Sequence, residues 1–409
     1  MKWFDKIKMN RKSGFFWNTL GSCMTAANSV LLMLSVSRTA PLGTVGEFSL
    51  ALTTSQILYV VALFGINDFQ MTDFKHEYSF RCYSKAKFIS SILSVVCCIL
   101  VVLIFGFSGE KAWLTLLMSA FMLVNSVGEL FQSLYFQNSR VDLAGKSLFF
   151  RYLISTVVFC VAVFSGVDLL IACLLMIIAN MIATWFWCIR IYPMFVNDPK
   201  EASEDVKQLL KWNFPLFLSV LGSLIVINAP KYIINFVASD EIQGIFGILY
   251  MPTSVINLVG LFIYKPCLEQ YAAAIRTEDG SFQKMLSSHS MLICTFSVFC
   301  SILMLLLGPF ILQLLFGLDL GIYRMEMALF MLAGGMMAMN QLLYYLLVIL
   351  RKQKQILCCY GIAMIAAIIS GLWAIPRYGV RGALLSFAGA QLLLLLTYGA
   401  VLLRERNDS

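Results

Sequence analysis

The segment LFGINDFQMTDFKHEYSFRCYSKAK, Leu63–Lys87, separates two of the most apolar stretches of the chain. Charged and amide side chains alternate with Phe and Tyr in it, whereas its neighbours on both sides are almost uniformly apolar. A polar segment between long apolar stretches is typical of a loop that joins two membrane-spanning helices. The fold class therefore depends on how many such stretches the chain contains.

Composition predicts a membrane protein. Of the 409 residues, 60% are hydrophobic and 13% are charged, and the mean hydropathy is +0.83. This leaves too little polar surface to cover a soluble globule. A helix needs about 20 apolar residues to cross a hydrocarbon core roughly 30 Å thick. The sequence predicts twelve spans, at Phe16–Val36, Val45–Phe64, Phe88–Phe107, Ala112–Phe136, Leu148–Phe164, Leu169–Ile189, Phe214–Val237, Ile242–Ile263, Met291–Leu315, Met327–Leu350, Ile356–Ile375 and Gly382–Leu403.

The positions of Lys and Arg predict the orientation. Most of these 30 residues lie in the N-terminus, in the loops after even-numbered spans and in the C-terminus. Basic residues in short loops stay on the cytoplasmic side of a membrane. We therefore predict a multi-pass protein of the inner (plasma) membrane with both termini in the cytoplasm. The net charge of +8 is then a topology signal, and no nucleic-acid partner is expected.

Several classes of site are not expected. The twelve cysteines lie inside predicted spans or cytoplasmic loops, so we predict neither disulfides nor a metal site, and only two histidines are present. The external loops are short, and the chain contains neither a GxSxG elbow nor a phosphate-binding glycine loop. The sequence therefore predicts a transporter that is not an enzyme and needs no cofactor.

Landmarks in the two halves indicate an internal duplication. A hydrophilic linker, Tyr192–Asn213, divides the chain. Trp17-Asn18 opens span 1 as Trp212-Asn213 opens span 7, and a Gly-Val pair precedes both span 6 and span 12. Each half has six spans and begins on the same side, which makes the repeats parallel. We predict an all-α membrane protein with twelve transmembrane helices in two parallel six-helix repeats around a central cavity: an N-terminal lobe at 1–192, a cytoplasmic linker at 193–212 and a C-terminal lobe at 213–409.

Polar side chains inside or at the ends of spans are the candidate cargo-binding groups, because they are costly in lipid and usually face the interior. The alternatives are that the amides only join helices and that Lys231 extends outward to the membrane surface. Pro230 precedes Lys231 and is expected to break span 7 near the cavity. A cationic cavity rimmed by amides would suit an anionic, sugar-bearing cargo. The candidates are Asn28, Arg38, Gln56, Asn228, Lys231 and Lys265.

Glu129 is the carboxylate expected well within a span. A buried carboxyl group there could titrate near neutral pH and carry a proton. Alternatively it could pair with Arg140 or Arg151. We therefore group these three residues as candidates for coupling.

The chain resembles, from end to end, the polysaccharide repeat-unit flippases of the O-antigen and capsule type, within the multidrug/oligosaccharidyl-lipid/polysaccharide (MOP) exporter superfamily. The loop after span 2 carries the resemblance through Phe69-Gln70-Met71-Thr72-Asp73 and the following Tyr78-Ser79-Phe80. Further similar stretches run from Glu129 to Arg151 and over Asn228-Ala229-Pro230-Lys231-Tyr232. One departure is that relatives often have a basic residue before the aromatic-Gln pair, where this chain has Asn67-Asp68.

The resemblance implies transfer of an undecaprenyl-diphosphate-linked oligosaccharide from the cytoplasmic to the outer leaflet by alternating access. It also implies the lipid bilayer and the polymerase and glycosyltransferases of the same pathway as partners. In the loop after span 2, Asp73 is expected to pair with Arg81 or Lys85 in one state and to separate in the other, unless this loop is only a solvated connection. The alternatives are a small-molecule or drug exporter of the same superfamily and a lipid II flippase.

Overall fold

The computed structural model describes residues 11–73, 76–196, 202–264, 267–277, 281–350 and 352–407. Fifteen α-helices make up most of this part of the chain. They are α1 (Arg11–Thr39), α2 (Leu42–Leu63), α3 (Ile66–Thr72), α4 (Phe80–Ile104), α5 (Gly109–Gln137), α6 (Val141–Phe164), α7 (Leu169–Thr184), α8 (Val206–Val237), α9 (Asp240–Tyr250), α10 (Thr253–Tyr264), α11 (Leu268–Thr277), α12 (Ser281–Phe316), α13 (Arg324–Ile349), α14 (Gln353–Tyr378) and α15 (Val380–Asn407).

Twelve segments of the described chain are long and apolar enough to cross a membrane. Each corresponds to one of the twelve predicted spans, so the prediction of an all-helical multi-pass membrane protein is confirmed. Helices α9 and α10 together form span 8, and a π-helical turn at Trp185–Ile189 extends α7 in span 6. The short helices α3 and α11 lie between spans, after span 2 and after span 8.

Polar residues define where several of these helices begin. The Ser79 hydroxyl accepts a hydrogen bond from the amide of Cys82 at the start of α4, at 3.1 Å. The Asp168 carboxylate accepts from the amide of Leu170 at the start of α7, at 2.9 Å. Such caps supply partners to the amides of a first helical turn, which have none within the helix.

Several spans begin earlier than hydropathy predicts, three of them by eight residues or more. Helix α4 begins at Phe80 rather than at Phe88, and α12 begins at Ser281 rather than at Met291. Helix α8 begins at Val206, within the predicted linker. A helix satisfies its own backbone hydrogen bonds, so it continues beyond the apolar residues that hydropathy detects. As a consequence, Lys87, which the sequence places in a loop, lies inside span 3.

The chain forms two compact units. One includes the chain up to Thr39 and Glu47–Leu221, and the other includes Ala40–Gly46 and the chain from Gly222 onward. The division lies within α8. This division into compact units does not test whether the two halves of the sequence are duplicated. The division into lobes at 1–192 and 213–409 therefore stays a prediction.

Glycines allow spans 1 and 5 to pack closely in the first unit. A Cβ atom added at Gly145 in α6 would overlap the backbone of Trp17 in α1. A Cβ atom at Gly21 in α1 would come within 2.9 Å of the carbonyl oxygen of Gly145. Small residues of this kind are what bring helices into contact in a membrane, where no hydrophobic effect drives them together.

The predicted break in span 7 at Pro230 is wrong. Helix α8 continues through this residue to Val237, and the break lies in span 8, where α9 ends at Tyr250 and α10 begins at Thr253. Pro252 stands between the two helices, a position just before the first helical turn that proline tolerates well. The Tyr250 carbonyl oxygen, which the break leaves without a helical partner, accepts a hydrogen bond from the Thr253 hydroxyl at 2.6 Å.

Candidate functional site

An ion pair lies inside the first unit, between spans 4 and 5. The guanidinium of Arg151 in α6 is fully buried, and its Nη2 atom lies 3.6 Å from Oε1 of Glu129 in α5. Arg151 also donates to the carbonyl oxygens of Asn125, at 3.2 Å, and Ser147, at 3.3 Å. Of the two partners that the sequence offered for Glu129, the structure therefore favours Arg151. Arg140 contacts Asp142 instead, through two hydrogen bonds of 2.9 and 3.0 Å.

Neighbouring residues on α5 complete this pair. The amide of Gln132, when oriented so that its nitrogen faces the carboxylate, donates to both oxygens of Glu129 at 3.1 Å. A Cβ atom added at Gly128 would overlap the guanidinium of Arg151. The guanidinium therefore occupies the space that the missing side chain of Gly128 leaves free. Only glycine at this position allows the pair to form as it is.

A second buried cation is Lys87 of span 3, which was not among the residues predicted from the sequence. Its side chain is 3% exposed. The ammonium donates to Asn67 Oδ1 at 2.8 Å, Ser126 Oγ at 3.1 Å and the Ala62 carbonyl oxygen at 3.1 Å. Three donors of one ammonium thus join the end of span 2, the helix α3 that follows it, and span 4.

The sequence does contain a signal for this role. Lys87, Ser90 and Ser94 are spaced at i, i+3 and i+7, which places them on one face of a helix. The hydroxyl of Ser90 donates to the Ala62 carbonyl oxygen at 2.8 Å, and that of Ser94 donates to the Leu58 carbonyl oxygen at 2.8 Å. This polar stripe binds carbonyl oxygens at the end of α2. Span 2 ends there because Phe64 and Gly65 adopt left-handed backbone conformations, with φ of 49° and 71°.

The corner at Asn67-Asp68, where the sequence offers no basic residue, is contacted by a lysine of another helix. Asn67 accepts a hydrogen bond from Lys87 of span 3.

Asp73, which follows α3, contacts the residues that lead into α4. Its carboxylate accepts hydrogen bonds from the amides of Glu77, at 2.8 Å, and Tyr78, at 3.2 Å, and from the hydroxyl of Tyr83, at 2.8 Å. The Gln137 side chain donates to the Asp73 carbonyl oxygen at 2.7 Å. The carboxylate therefore joins the end of α3 to residues 77, 78 and 83 at the start of α4.

The basic residues expected near Asp73 have other surroundings in this conformation. Lys85 pairs with Glu204 at 3.2 Å, and both side chains are about half exposed. Arg81 is exposed and, within the described chain, forms no ion pair. Exchange of Asp73 between partners in two states stays a prediction.

The segment before α8 is docked on the same loop. The Ser79 amide donates to the Ser203 carbonyl oxygen at 3.1 Å, and the Ser203 amide donates to the Glu77 carbonyl oxygen at 2.8 Å. Leu209 of α8 is buried in an apolar cluster with Tyr78 and Tyr83. Burial in this cluster raises the pKa of Tyr78 above its ordinary value.

The other candidates of the first unit are dispersed. Asn28 of span 1 is buried and donates to the hydroxyl of Thr156 in span 5 at 2.6 Å. Gln56 is half-buried in span 2, and Arg38 is exposed near the end of span 1. Arg140 lies between spans 4 and 5, and its hydrogen bonds to Asp142 raise its pKa.

In the second unit, Lys231 is 8% exposed, so its side chain does not extend to the lipid surface. Its ammonium lies 5.1 Å from the centroid of the Tyr250 ring in α9, within the range of a cation–π interaction. Asn228, one turn earlier, donates to the Leu224 carbonyl oxygen of its own helix at 2.9 Å. The remaining candidate, Lys265, lies outside the described residues.

An uncharged polar cluster lies elsewhere in this unit. The Asn340 side chain donates to the backbone and side-chain oxygens of Gln391, each at 2.9 Å. Ser223 and Tyr360 line the same cavity of about 10 Å³, which is roughly the space that one water molecule needs. No group of three or more metal-ligating side chains occurs among the residues that the structure describes.

These features define a multi-pass membrane protein with the fold of MOP-superfamily transporters. The chain is similar to the inward-facing conformation of a multidrug resistance MATE family transporter of the MOP superfamily, with a TM-score of 0.70 and 12% identity, over 93% of this chain and 94% of that chain. It is also similar to the lipid II flippase MurJ in an inward closed conformation, with a TM-score of 0.65 and 15% identity, over 95% of this chain and 86% of that chain.

The family follows from sequence. The model of the polysaccharide biosynthesis protein family matches residues 12–268, and the chain belongs to that family. It is 23% identical over 395 residues to the capsular polysaccharide biosynthesis protein CapF of Staphylococcus aureus. This match covers 94% of this chain and 97% of that protein. The resemblance identified from the sequence is therefore confirmed.

Proposed function

We propose that this protein transfers undecaprenyl-diphosphate-linked oligosaccharide repeat units from the cytoplasmic to the outer leaflet of the inner membrane during surface polysaccharide biosynthesis. The observation that carries the proposal is the charge buried deep in the spans. In the described part of the chain, four charged side chains lie six or more residues from both ends of a span. They are the cations Lys87, Arg151 and Lys231 and the carboxylate Glu129.

An excess of deep positive charge suits an anionic cargo. A charged side chain costs several kcal/mol at the bilayer centre, roughly 3 on insertion scales, and usually serves a function there. Cations bind diphosphate oxygens through strong, charge-assisted hydrogen bonds. The same excess disfavours a cationic drug as cargo, which argues against the small-molecule exporter.

A lipid II flippase would carry a diphosphate as well, so charge alone does not separate it from the proposed function. Family membership and the similarity to a capsular polysaccharide biosynthesis protein support a polysaccharide repeat unit. Glycosyltransferases that build the unit and a polymerase that consumes it are the expected partners in the pathway.

We assign the candidate residues as follows. Amide and cationic side chains in the spans or near their ends bind the cargo. Residues of the loops after spans 2 and 4, together with the buried pair of Glu129 and Arg151, control access of the cargo to its binding site. The first group is Asn28, Arg38, Gln56, Asn228, Lys231 and Lys265. The second group is Asp73, Arg81, Glu129, Arg140 and Arg151.

The membrane potential can drive this cycle. Outward movement of the diphosphate is favoured by an inside-negative potential, by about 2.3 kcal/mol per charge per 100 mV. Return of the empty, positively charged protein toward the inside is favoured by the same potential. Glu129 is already paired with Arg151, which disfavours it as a proton carrier, and the potential alone can drive both steps. We expect Glu129→Gln to retain substantial transport in a reconstituted flipping assay with an imposed potential. A folded but inactive Glu129→Gln, with wild-type transport driven by a pH gradient alone, would instead identify Glu129 as a proton carrier.

Export of the polysaccharide in a strain that depends on this protein tests the assignment of Lys231. Lys231→Ala should abolish export while the protein remains folded in the membrane, and Lys231→Arg should retain part of it because the charge is kept. Lys207→Ala is the matched control, since Lys207 is an exposed lysine at the start of the same helix. Normal export by Lys231→Ala would refute the cargo role of Lys231.

A further inference from the structure

A groove lies beside the first turns of α4, at the end of span 3 that follows the loop after span 2. Its volume is about 480 Å³. The side-chain stems of Arg81 and Lys85 line it, and Phe88 and Ile89 add an apolar wall together with Val206 of α8. Residues 81, 85, 88 and 89 follow helical spacing, so one stripe of α4 presents both the charges and the apolar surface.

The same stripe continues along the lipid-facing surface of span 3. Phe88 is 67% exposed and Ile92 is 49% exposed, whereas Lys87, on the other side of the helix, is buried. Exposed apolar side chains of a spanning helix contact acyl chains. The cations of the groove therefore lie one to two turns beyond residues at the depth of the acyl chains, which is where lipid headgroups are found.

The charges of this groove are available to a ligand. Arg81 forms no ion pair within the described chain, and the pair of Lys85 with Glu204 is a half-exposed surface contact, which water and salt weaken. The first turn of α4 contains no acidic residue. Two cations near a helix N-terminus are unfavourable in the field of the helix, and an anion beside them relieves that effect.

We propose that this groove binds an acidic phospholipid, with the phosphodiester between Arg81 and Lys85 and an acyl chain along Phe88 and Ile92. Charge complementarity and the continuous apolar stripe favour a lipid over free phosphate, which would leave the apolar wall unoccupied. The groove continues into the lipid-facing surface of span 3, and this position favours a phospholipid of the surrounding bilayer over the transported cargo. This inference does not rest on the proposed function.

The test is lipid retention by the purified full-length protein, measured by native mass spectrometry and by thermal stabilisation in detergent. Phosphatidylglycerol should bind and stabilise the wild type more than zwitterionic phosphatidylcholine. Arg81→Gln/Lys85→Gln should bind phosphatidylglycerol about 30-fold more weakly, from the contribution of two basic residues near an anionic phosphate. Arg81→Gln alone should have an intermediate effect, and Lys354→Gln, at an exposed lysine of α14, should have little.

Three results would overturn the proposal. Equal binding of phosphatidylglycerol by the wild type and the double variant would place the lipid elsewhere, and equal binding of the two phospholipids would remove the role of charge. If a polyprenyl diphosphate displaced phosphatidylglycerol from the wild type and lost its own binding in the double variant, the groove would belong to the cargo path. Both substitutions are at exposed positions, so the lipid-free variants should unfold as the wild type does.

Discussion

Lys87 should be one of the most sensitive positions in the first unit, and Lys87→Met tests this. Methionine keeps most of the side-chain volume but removes the ammonium and its three hydrogen bonds. The Ala62 carbonyl oxygen keeps the Ser90 hydroxyl as a donor, whereas Asn67 Oδ1 loses a charged donor in a buried place. One unsatisfied buried acceptor costs about 1–3 kcal/mol, and hydrogen bonds to a charged group are worth about 1.5–3 kcal/mol each.

Relief of the buried charge offsets part of that loss, so we expect the free energy of unfolding to fall by about 2–4 kcal/mol. Denaturant titration in mixed micelles measures this change. Lys85→Met is the matched control, because that lysine lies two residues earlier on the same helix and makes only a surface pair with Glu204. Its cost should be below about 1 kcal/mol.

A local measurement separates the proposed role of Lys87 from general destabilisation. If the ammonium holds α3 to spans 2 and 4, hydrogen exchange should accelerate first at the amides of residues 66–79 in Lys87→Met, and not in Lys85→Met. A Lys87→Met protein that matches Lys85→Met in both stability and exchange would show that the Lys87 ammonium does not hold α3 in place.

Other substitutions test the remaining parts of the first unit and the topology. Gly128→Ala should displace the guanidinium of Arg151 and lower the free energy of unfolding by about 1–3 kcal/mol; unchanged stability would mean that the guanidinium relaxes freely. Tyr83→Phe removes one of three donors to the Asp73 carboxylate and should cost about 0.5–1.5 kcal/mol, with faster exchange at the Glu77 amide as the diagnostic readout. A reporter fused after Asp319 should read outside, and a cytoplasmic reading would contradict the assigned orientation.

Hydropathy located every span because the thickness of the bilayer fixes the minimum length of an apolar helix. A run of about 20 apolar residues can be recognised in the sequence without knowledge of the fold. It failed at the ends of spans, where the helix continues through polar residues such as Lys87. A lysine near the edge of an apolar stretch looks like a loop residue when only average hydropathy is considered. The i, i+3, i+7 spacing of Lys87 with Ser90 and Ser94 carried the missing information.

Proline alone did not identify the broken helix. Span 7 continues through Pro230, and span 8 is interrupted at Pro252. Whether proline breaks a helix depends on whether other groups satisfy the freed carbonyl oxygens. At the observed break, Pro252 frees the Ile248 carbonyl oxygen, which accepts a hydrogen bond from the Met251 amide at 3.3 Å. The Thr253 hydroxyl donates to the Tyr250 carbonyl oxygen nearby. Both contacts are local, and a proline in the sequence does not by itself show that they form. The sequence also left two possible partners for Glu129, Arg140 and Arg151. Spacing along the chain does not determine which of these side chains points into the bundle.

The most direct test of the account is a flipping assay with the purified protein in liposomes that contain a fluorescent undecaprenyl-diphosphate-linked oligosaccharide. We expect the protein to transfer this lipid between leaflets, faster when a membrane potential draws negative charge in the direction of transfer, and we expect Lys231→Ala to abolish the transfer while Lys207→Ala does not. Transfer at the protein-free rate, with Lys231→Ala and the wild type indistinguishable under the same potential, would contradict the account.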